Sequence, residues 1–275
     1  MNKEDIHWQT ITEGKDSHFL GYETLTSDAE IRKISRNNEH TILILNQTPF
    51  YAESGGQIGD TGIIITEEHK IMVENTIYDN DNSVLHICNG TLSDDQLKNN
   101  IRCIVDTNRR QKIKSNHTAT HLLHSALKTV LGDHVHQAGS LVSPDYLRFD
   151  LTHNNKINSS QLMKIEYLVN EEILNNNPLA VEVKPFETAR DEGVEALFGE
   201  KYGDEVRVIS VGEFSKELCG GIHVNHTGEI GLFKIIEESS LSAGVRRVVA
   251  ITGKEAVTYV QNQSNIVKDL LLKFN

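Results

Sequence analysis

The chain has 275 residues, 38% apolar and 24% charged, with a formal net charge of −12, which is room for one large or two medium domains around a sizeable core. No apolar run approaches a membrane span, the polar opening MNKEDIHWQTITEGKDSHFL lacks a signal-peptide core, and Cys88, Cys103 and Cys219 form no disulfide framework; these features point to a reducing cytoplasm and away from a membrane. The acidic balance argues against a general binder of DNA or of nucleic-acid backbone, although RRQKIK at 109–114 puts four cations in six residues and VRR at 245–247 adds two.

In chain order, the first hundred residues read mostly as strands. HTILILN (40–46), TGIIIT (61–66), KIMVENTIYD (70–79) and SVLHIC (83–88) are β-branched or alternating runs separated by Gly, Asn and Asp turn signals. Short strands at this spacing predict a small barrel-like or sandwich-like unit. Near residue 105 the texture changes. SNHTATHLLHSALKTVLG (115–132) has apolar residues at 119, 122, 123, 126, 127, 130 and 131, a helical period with Ser115 or Asn116 as cap and Gly132 as stop. A strand pair at 139–152 and an amphipathic helix at 159–177, stopped by Pro178, follow. LAVEVKPFE and EVRVISVG read as strands, GLFKIIEESS and VRRVVAITG as a strand pair across the turn at Gly244, and 254–275 as a helix. The expectation is an α+β chain: a β-rich, barrel-like part over 1–105, an α+β part over 106–254 with a mixed or antiparallel sheet packed on helices, and a closing helix over 255–275.

ELCGGIHVNH (217–226) holds Cys219 and His223 around two glycines, a turn pliable enough to point both side chains at one spot. That pair is half of a tetrahedral zinc site. The other half is on the 115–132 helix, where His117 and His121 stand one turn apart on one face. H-x3-H with C-x3-H supplies three imidazoles and one thiolate for a single Zn2+. His124, at i+3 from His121, leaves open which two of the three helix histidines bind, while His134, His136, His153 and His226 have no spacing partner and read as surface or supporting residues. HTATH lacks the glutamate of H-E-x-x-H, so the metalloprotease base is missing, and the zinc-deaminase signature is missing too. Four protein ligands favour a structural ion, whereas a catalytic one keeps an open position; the sequence does not choose between ligand release and a zinc that only orients the substrate. Thr120, beside His121, and Gln137, just past the helix, offer neutral hydrogen bonds suited to a small polar group or a water, and on position alone read equally well as two surface polar residues.

The stretches HTATHLLHSALKTVLGDHVHQAGSLV, LRFDLTH, KELCGGIHV, SSLSAGVRRVVAITG and LNQTPFYAESGGQIGDTG resemble, in order, the editing domain of alanyl-tRNA synthetase. The resemblance covers about residues 15 to 260. The H-x3-H and C-x3-H set is shared with threonyl-tRNA synthetase editing domains and with freestanding alanyl trans-editing proteins. It implies hydrolysis of serine or glycine wrongly esterified to tRNA(Ala), with zinc on His117, His121, Cys219 and His223, and Thr120 where the family senses the serine hydroxyl. It also implies a role for Gln137 in deacylation, and for Glu53, Ser54, Gly55, Gly56 and Gln57 near the editing pocket. Those glycines read equally well as a turn between strands. Arg109, Arg110, Lys112 and Lys114 become candidates for phosphates of the acceptor stem, against the plainer reading of a solvated charge run. The resemblance further implies a parent enzyme that ligates alanine to tRNA(Ala) with ATP, whose aminoacylation domain has no counterpart here. A freestanding trans-editing deacylase and a zinc-stabilised tRNA-binding module without hydrolysis are the alternatives.

Overall fold

A computed structural model of the chain describes residues 7–37, 39–66, 69–90, 93, 100–196 and 202–274. The chain divides into two compact units, residues 1–54 with 58–110 and residues 55–57 with 111–275. No helix among the described residues is long and apolar enough to cross a membrane.

The first unit carries the strands β1 (Gln9–Thr10), β2 (His18–Phe19), β3 (Thr26–Ala29), β4 (Ile31–Arg36), β5 (His40–Leu45), β6 (Gln47–Thr48), β7 (Gly62–Ile65), β8 (Lys70–Tyr78), β9 (Val84–Asn89) and β10 (Ile101–Val105). The four apolar runs read from the sequence are β5, β7, β8 and β9. β3, β4 and β10 went unread because one face of each is polar or charged, which dilutes the apolar signal. Eight of these strands form one antiparallel sheet in the order β1-β4-β5-β9-β8-β7-β10-β3, and β2 pairs with β6 in parallel. The barrel-like form expected here is not observed. The sheet ends at β1 and β3, no ladder among the described residues joins them, and β1 offers only Gln9 and Thr10 for pairing, too few to close a barrel. Leu43, Leu45, Phe50, Ile64, Ile31 and Ile34 fill the core. Cys88 and Cys103 lie in the same core, where burial pushes both thiols up to about 12; neither is a nucleophile near neutral pH.

The helix α1 (Thr107–Leu131) begins eight residues before the expected start. The Asp106 carboxylate accepts the Arg109 amide at 3.0 Å, so Asp106 caps the helix and Ser115 and Asn116 lie inside it. Gly132 ends it at φ 113°, its amide bonded to the Lys128 carbonyl at 2.8 Å. Ala119, Leu122, Leu123, Ala126 and Leu127 are wholly buried. They pack into a core shared with β12 (Leu147–Thr152) and α2 (Ser159–Leu174), and β11 (Gln137–Val142) pairs with β12. Asn158 caps α2 in a reciprocal box with Gln161. The helix stops at Leu174, short of Pro178, because Asn176 turns the chain at φ 51°.

Next come β13 (Leu179–Pro185), the short α3 (Phe186–Asp191), β14 (Glu205–Val211), β15 (Ser215–Leu218), β16 (Phe233–Ser242), β17 (Val245–Thr252) and α4 (Gly253–Phe274). Two antiparallel sheets result, β11-β12-β17-β16 and β13-β14-β15. Asp150 and Arg247 face each other across β12 and β17 and form a two-pronged ion pair at 2.7 and 2.9 Å. Arg246 binds Glu238. The VRR arginines thus serve the sheet.

Candidate metal centre

His117 and His121 project from the middle of α1. Cys219 and His223 sit on the turn that leaves β15. The ligand atoms of all four lie within 4.8 Å of one another. The Cys219 thiol sulfur is 3.4 Å from Nε2 of His117 and 3.3 Å from Nε2 of His223. The three rings crowd together, with centroids 5.4, 4.4 and 4.6 Å apart.

The turn is rigid for identifiable reasons. β14 holds it from one side, since the Cys219 amide donates to the Arg207 carbonyl at 2.9 Å. The Arg207 guanidinium donates to the carbonyls of Cys219 and Gly221 at 2.9 and 2.8 Å. The Gly221 amide points at the Cys219 sulfur at 3.3 Å, a contact that favours thiolate. A Cβ on Gly221 would sit 2.1 Å from Cε1 of His117, so glycine there is a condition for the rings to meet.

The three imidazoles are buried, and burial holds His117 and His223 well below the ordinary histidine range, with neighbouring histidines and Arg207 adding to the effect. His121 is lowered for the same first reason, against an opposing pull from Glu217. Neutral imidazoles are the form that binds metal. Nδ1 of His121 is buried and has no hydrogen-bond partner among the described residues, as expected of an atom kept for an ion. Three nitrogens and one sulfur suit zinc, whose usual bond lengths would separate nitrogen from sulfur by about 3.5 Å in a tetrahedron. The residues present therefore fit the ion.

Each ring also has an outer partner. Nδ1 of His117 is 2.7 Å from Oε1 of Gln57, and Nδ1 of His223 is 3.1 Å from the Thr118 hydroxyl. Glu217 lies 3.8 Å from Nε2 of His121 and 3.1 Å from Nδ1 of His124. Burial alone would raise the Glu217 carboxyl, but His121 and His124 bring it below its ordinary value. His124 thus stands behind the cluster, packed on Phe149. His134 and His153 bond to each other at 2.8 Å on the surface. A cavity of about 260 Å³ is bordered by His124, Lys128, Glu195, Lys216 and Glu217, and none of the four converging side chains lines it.

The other sequence candidates fall in several places. The Thr120 hydroxyl is buried and donates to the Asn116 carbonyl at 2.8 Å. Gln137 opens β11 half-buried, opposite Leu151, with no hydrogen bond to the four among the described residues. Gly55 and Gly56 take φ 57° and 81°, and the Gly56 carbonyl accepts the Val142 amide at 2.7 Å. Gln57 is fully buried, and its Nε2 meets no acceptor among the described residues. Glu53 and Ser54 are exposed; the Glu53 amide donates to Thr76 and the Ser54 carbonyl accepts from Tyr51.

The basic run does not present a row of phosphate ligands. Arg110 is buried in the first unit, paired with Asp60 and donating to the carbonyls of Gly21 and Pro49, so its charge is already spent on the fold. Arg109 donates to the Gly59 carbonyl at 2.8 Å, Lys112 is exposed and pairs with Glu255, and Lys114 is half-buried. Sequence reasoning missed Thr118, Arg207 and Glu217. Glu217 was readable, because the two-residue period of a strand places it on the face of Cys219. Thr118 and Arg207 carried no local signal.

Residues 206–249 match the family described as the threonyl and alanyl tRNA synthetase second additional domain, and residues 2–109 match the class II (A) tRNA synthetases. The alanine–tRNA ligase of Wolbachia pipientis wMel is 46% identical over 278 residues, covering 96% of this chain and 32% of that protein. That of Fervidobacterium nodosum is 46% identical over 271 residues, with shares of 94% and 31%. That of Thermotoga maritima is 46% identical over 265 residues, with shares of 92% and 30%. The chain spans about a third of the length of these curated relatives. Matching such relatives over more than nine-tenths of its own length, with the synthetase second additional domain over the turn that carries Cys219 and His223, the chain belongs to the alanyl-tRNA synthetase family, as its editing region.

Proposed function

We propose that this chain is the deacylating part of an alanine–tRNA ligase: it hydrolyses serine or glycine wrongly esterified to tRNA(Ala), with zinc held by His117, His121, Cys219 and His223. The observation that carries the reading is the convergence of four metal-ligand atoms from two distant segments within a chain of this family. The need is physical. A pocket built for alanine rejects glycine, or serine with its added hydroxyl, by only about 10²-fold, and a second hydrolytic site corrects the residue.

An aminoacyl ester is already activated, so a positioned water can attack its carbonyl carbon. The bond to the ribose oxygen breaks, and the water's proton ends on that oxygen. When bound, zinc supplies a fixed positive charge that anchors the amino acid or terminal ribose and keeps the pocket in shape. Thr120 donates its proton to Asn116, so its oxygen is left as an acceptor for the serine hydroxyl. Gln137 orients the water without taking its proton. The Nε2 of Gln57 is a buried donor with no acceptor among the described residues and suits a polar group of the substrate. Of the basic run, Lys112 is the candidate for an acceptor-stem phosphate, exchanging Glu255 for it. The working partition is a β-rich part over 1–105, an editing part over 106–254 and a closing helix over 255–275.

The test is incubation with Ser-tRNA(Ala), Gly-tRNA(Ala) and Ala-tRNA(Ala), with and without chelator. Preferential loss of the first two, abolished by chelation, supports the reading. Thr120→Val should change the Ser/Ala rate ratio; an unchanged ratio removes that role. One observation favours a second reading. Four protein donors converge, enough to fill every position of a tetrahedral zinc, which suits a zinc-stabilised tRNA-binding module; tight binding of tRNA(Ala) without ester loss would select it.

A further inference from the structure

The outer partners of His117 and His223 fix which nitrogen of each ring carries the proton. The Ile222 amide donates to Oε1 of Gln57 at 3.0 Å. A backbone amide can only donate, so this atom is the oxygen and the orientation of the Gln57 amide is settled. The same oxygen lies 2.7 Å from Nδ1 of His117. An amide oxygen only accepts, so Nδ1 must carry the hydrogen, and the lone pair of His117 is left on Nε2, which faces the Cys219 sulfur at 3.4 Å. At His223 a different residue does the same. The Thr118 oxygen accepts the Val224 amide at 3.2 Å, and its single proton goes to the Lys114 carbonyl at 3.0 Å. No proton remains for His223, so the contact at 3.1 Å requires Nδ1–H on the ring. Its Nε2 lone pair faces the same sulfur at 3.3 Å.

We infer that Gln57 and Thr118 are positioning residues that lock His117 and His223 in the metal-binding tautomer before any ion arrives, each reading its instruction from a backbone amide of the turn, that of Ile222 or of Val224. A free imidazole in water prefers the opposite tautomer, so an unlocked ring would have to exchange its proton before ligating. The lock is built into the chain. Gln57 is fully buried, and its segment is held by the bond from the Val142 amide to the Gly56 carbonyl and by the parallel bridge of Gln57 to Val142. A Cβ at Gly56 would stand 2.7 Å from the Ser140 carbonyl oxygen, so glycine there allows the close approach. This gives the ESGGQ segment a function that needs no contact between Oε1 of Gln57 and substrate.

The inference rests on the zinc reading above, and the experiment separates the two. Zinc affinity of the 275-residue chain is measured by chelator competition for the wild type, Gln57→Ala, Gln57→Glu, Thr118→Val and Thr118→Ser. Ring tautomers of the zinc-free chain are read by nitrogen-15 NMR near neutral pH. Expected are Nδ1–H on both rings of the wild type and a 10- to 100-fold loss of zinc affinity in Gln57→Ala and Thr118→Val. Gln57→Glu and Thr118→Ser, which keep the accepting oxygen, should retain both affinity and tautomers. Zinc binding by the wild type with equal affinity in all four variants overturns the lock and leaves the metal reading standing. No zinc binding by the wild type removes both. Should Gln57→Ala or Thr118→Val fail to fold, the wild-type tautomers decide: Nε2–H on either ring overturns the inference.

Discussion

Gly220 and Gly221 are neighbours on the same turn, neither has a left-handed backbone, and alanine should treat them in opposite ways. At Gly221 the new Cβ would lie 2.1 Å from Cε1 and 2.5 Å from Nδ1 of His117, and 3.0 Å from Oε1 of Gln57. Carbon atoms rest about 3.5–4.0 Å apart, so the turn or the ring must yield by more than an ångström. The ring is packed against two other imidazoles and bonded to Gln57, which makes this an overpacking cost of about 1–3 kcal/mol plus a lost hydrogen bond of about 1 kcal/mol. The gain from a stiffer unfolded chain offsets only about 0.4–1 kcal/mol, leaving Gly221→Ala about 1–3.5 kcal/mol less stable. At Gly220 a Cβ meets nothing within 4 Å, so Gly220→Ala should be neutral or slightly stabilising. Denaturant midpoints of the zinc-free chain and chelator competition for zinc test this pair directly. Gly221→Ala should also bind zinc at least tenfold more weakly than Gly220→Ala. Matching midpoints and matching zinc affinities would mean that His117 and the turn do not meet as described.

Asp60→Asn removes the only charge opposing the buried Arg110 within their pair, with side chains 1% and 2% exposed, and should cost about 3–5 kcal/mol; a midpoint shift equivalent to under about 1 kcal/mol would refute a buried ion pair. Acid should weaken the metal-free fold earlier than carboxylate titration alone would. His86 is lowered to about 4 by burial, and His117, His121 and His223 are lowered for the same first reason. The unfolded chain therefore takes up protons near pH 6.5 while the folded one does not. Their stabilisation is complete above about pH 6.5 and falls as pH drops towards 4, by about 3 kcal/mol from His86 alone; a flat midpoint between pH 7.5 and 4.5 would contradict this. Cys219→Ala should abolish zinc retention on gel filtration, yet shift the zinc-free midpoint by less than about 1 kcal/mol, because the thiol is only half-buried. Retained zinc would show that sulfur is not a ligand.

The local chemistry of the centre was legible in the sequence. One helical turn separates His117 from His121, and the glycine turn joins Cys219 to His223; both spacings follow from helix and turn geometry that neighbouring residues impose. The alternation of β8 and the period of α1 were readable because a buried stripe writes a short repeat into the chain, and β5 was readable as a continuous apolar run buried on both faces. Tertiary structure alone decided the rest. It brought residue 117 to residue 219, removed His124 from the set by giving it to Glu217, and sank Arg110 against Asp60. It also set the proton positions on His117 and His223 through Gln57 and Thr118, residues whose types point to no metal. Those outcomes depend on contacts between segments up to about a hundred residues or more apart, and a side chain's partner at that distance is fixed by packing and hydrogen-bond satisfaction, which no local pattern records.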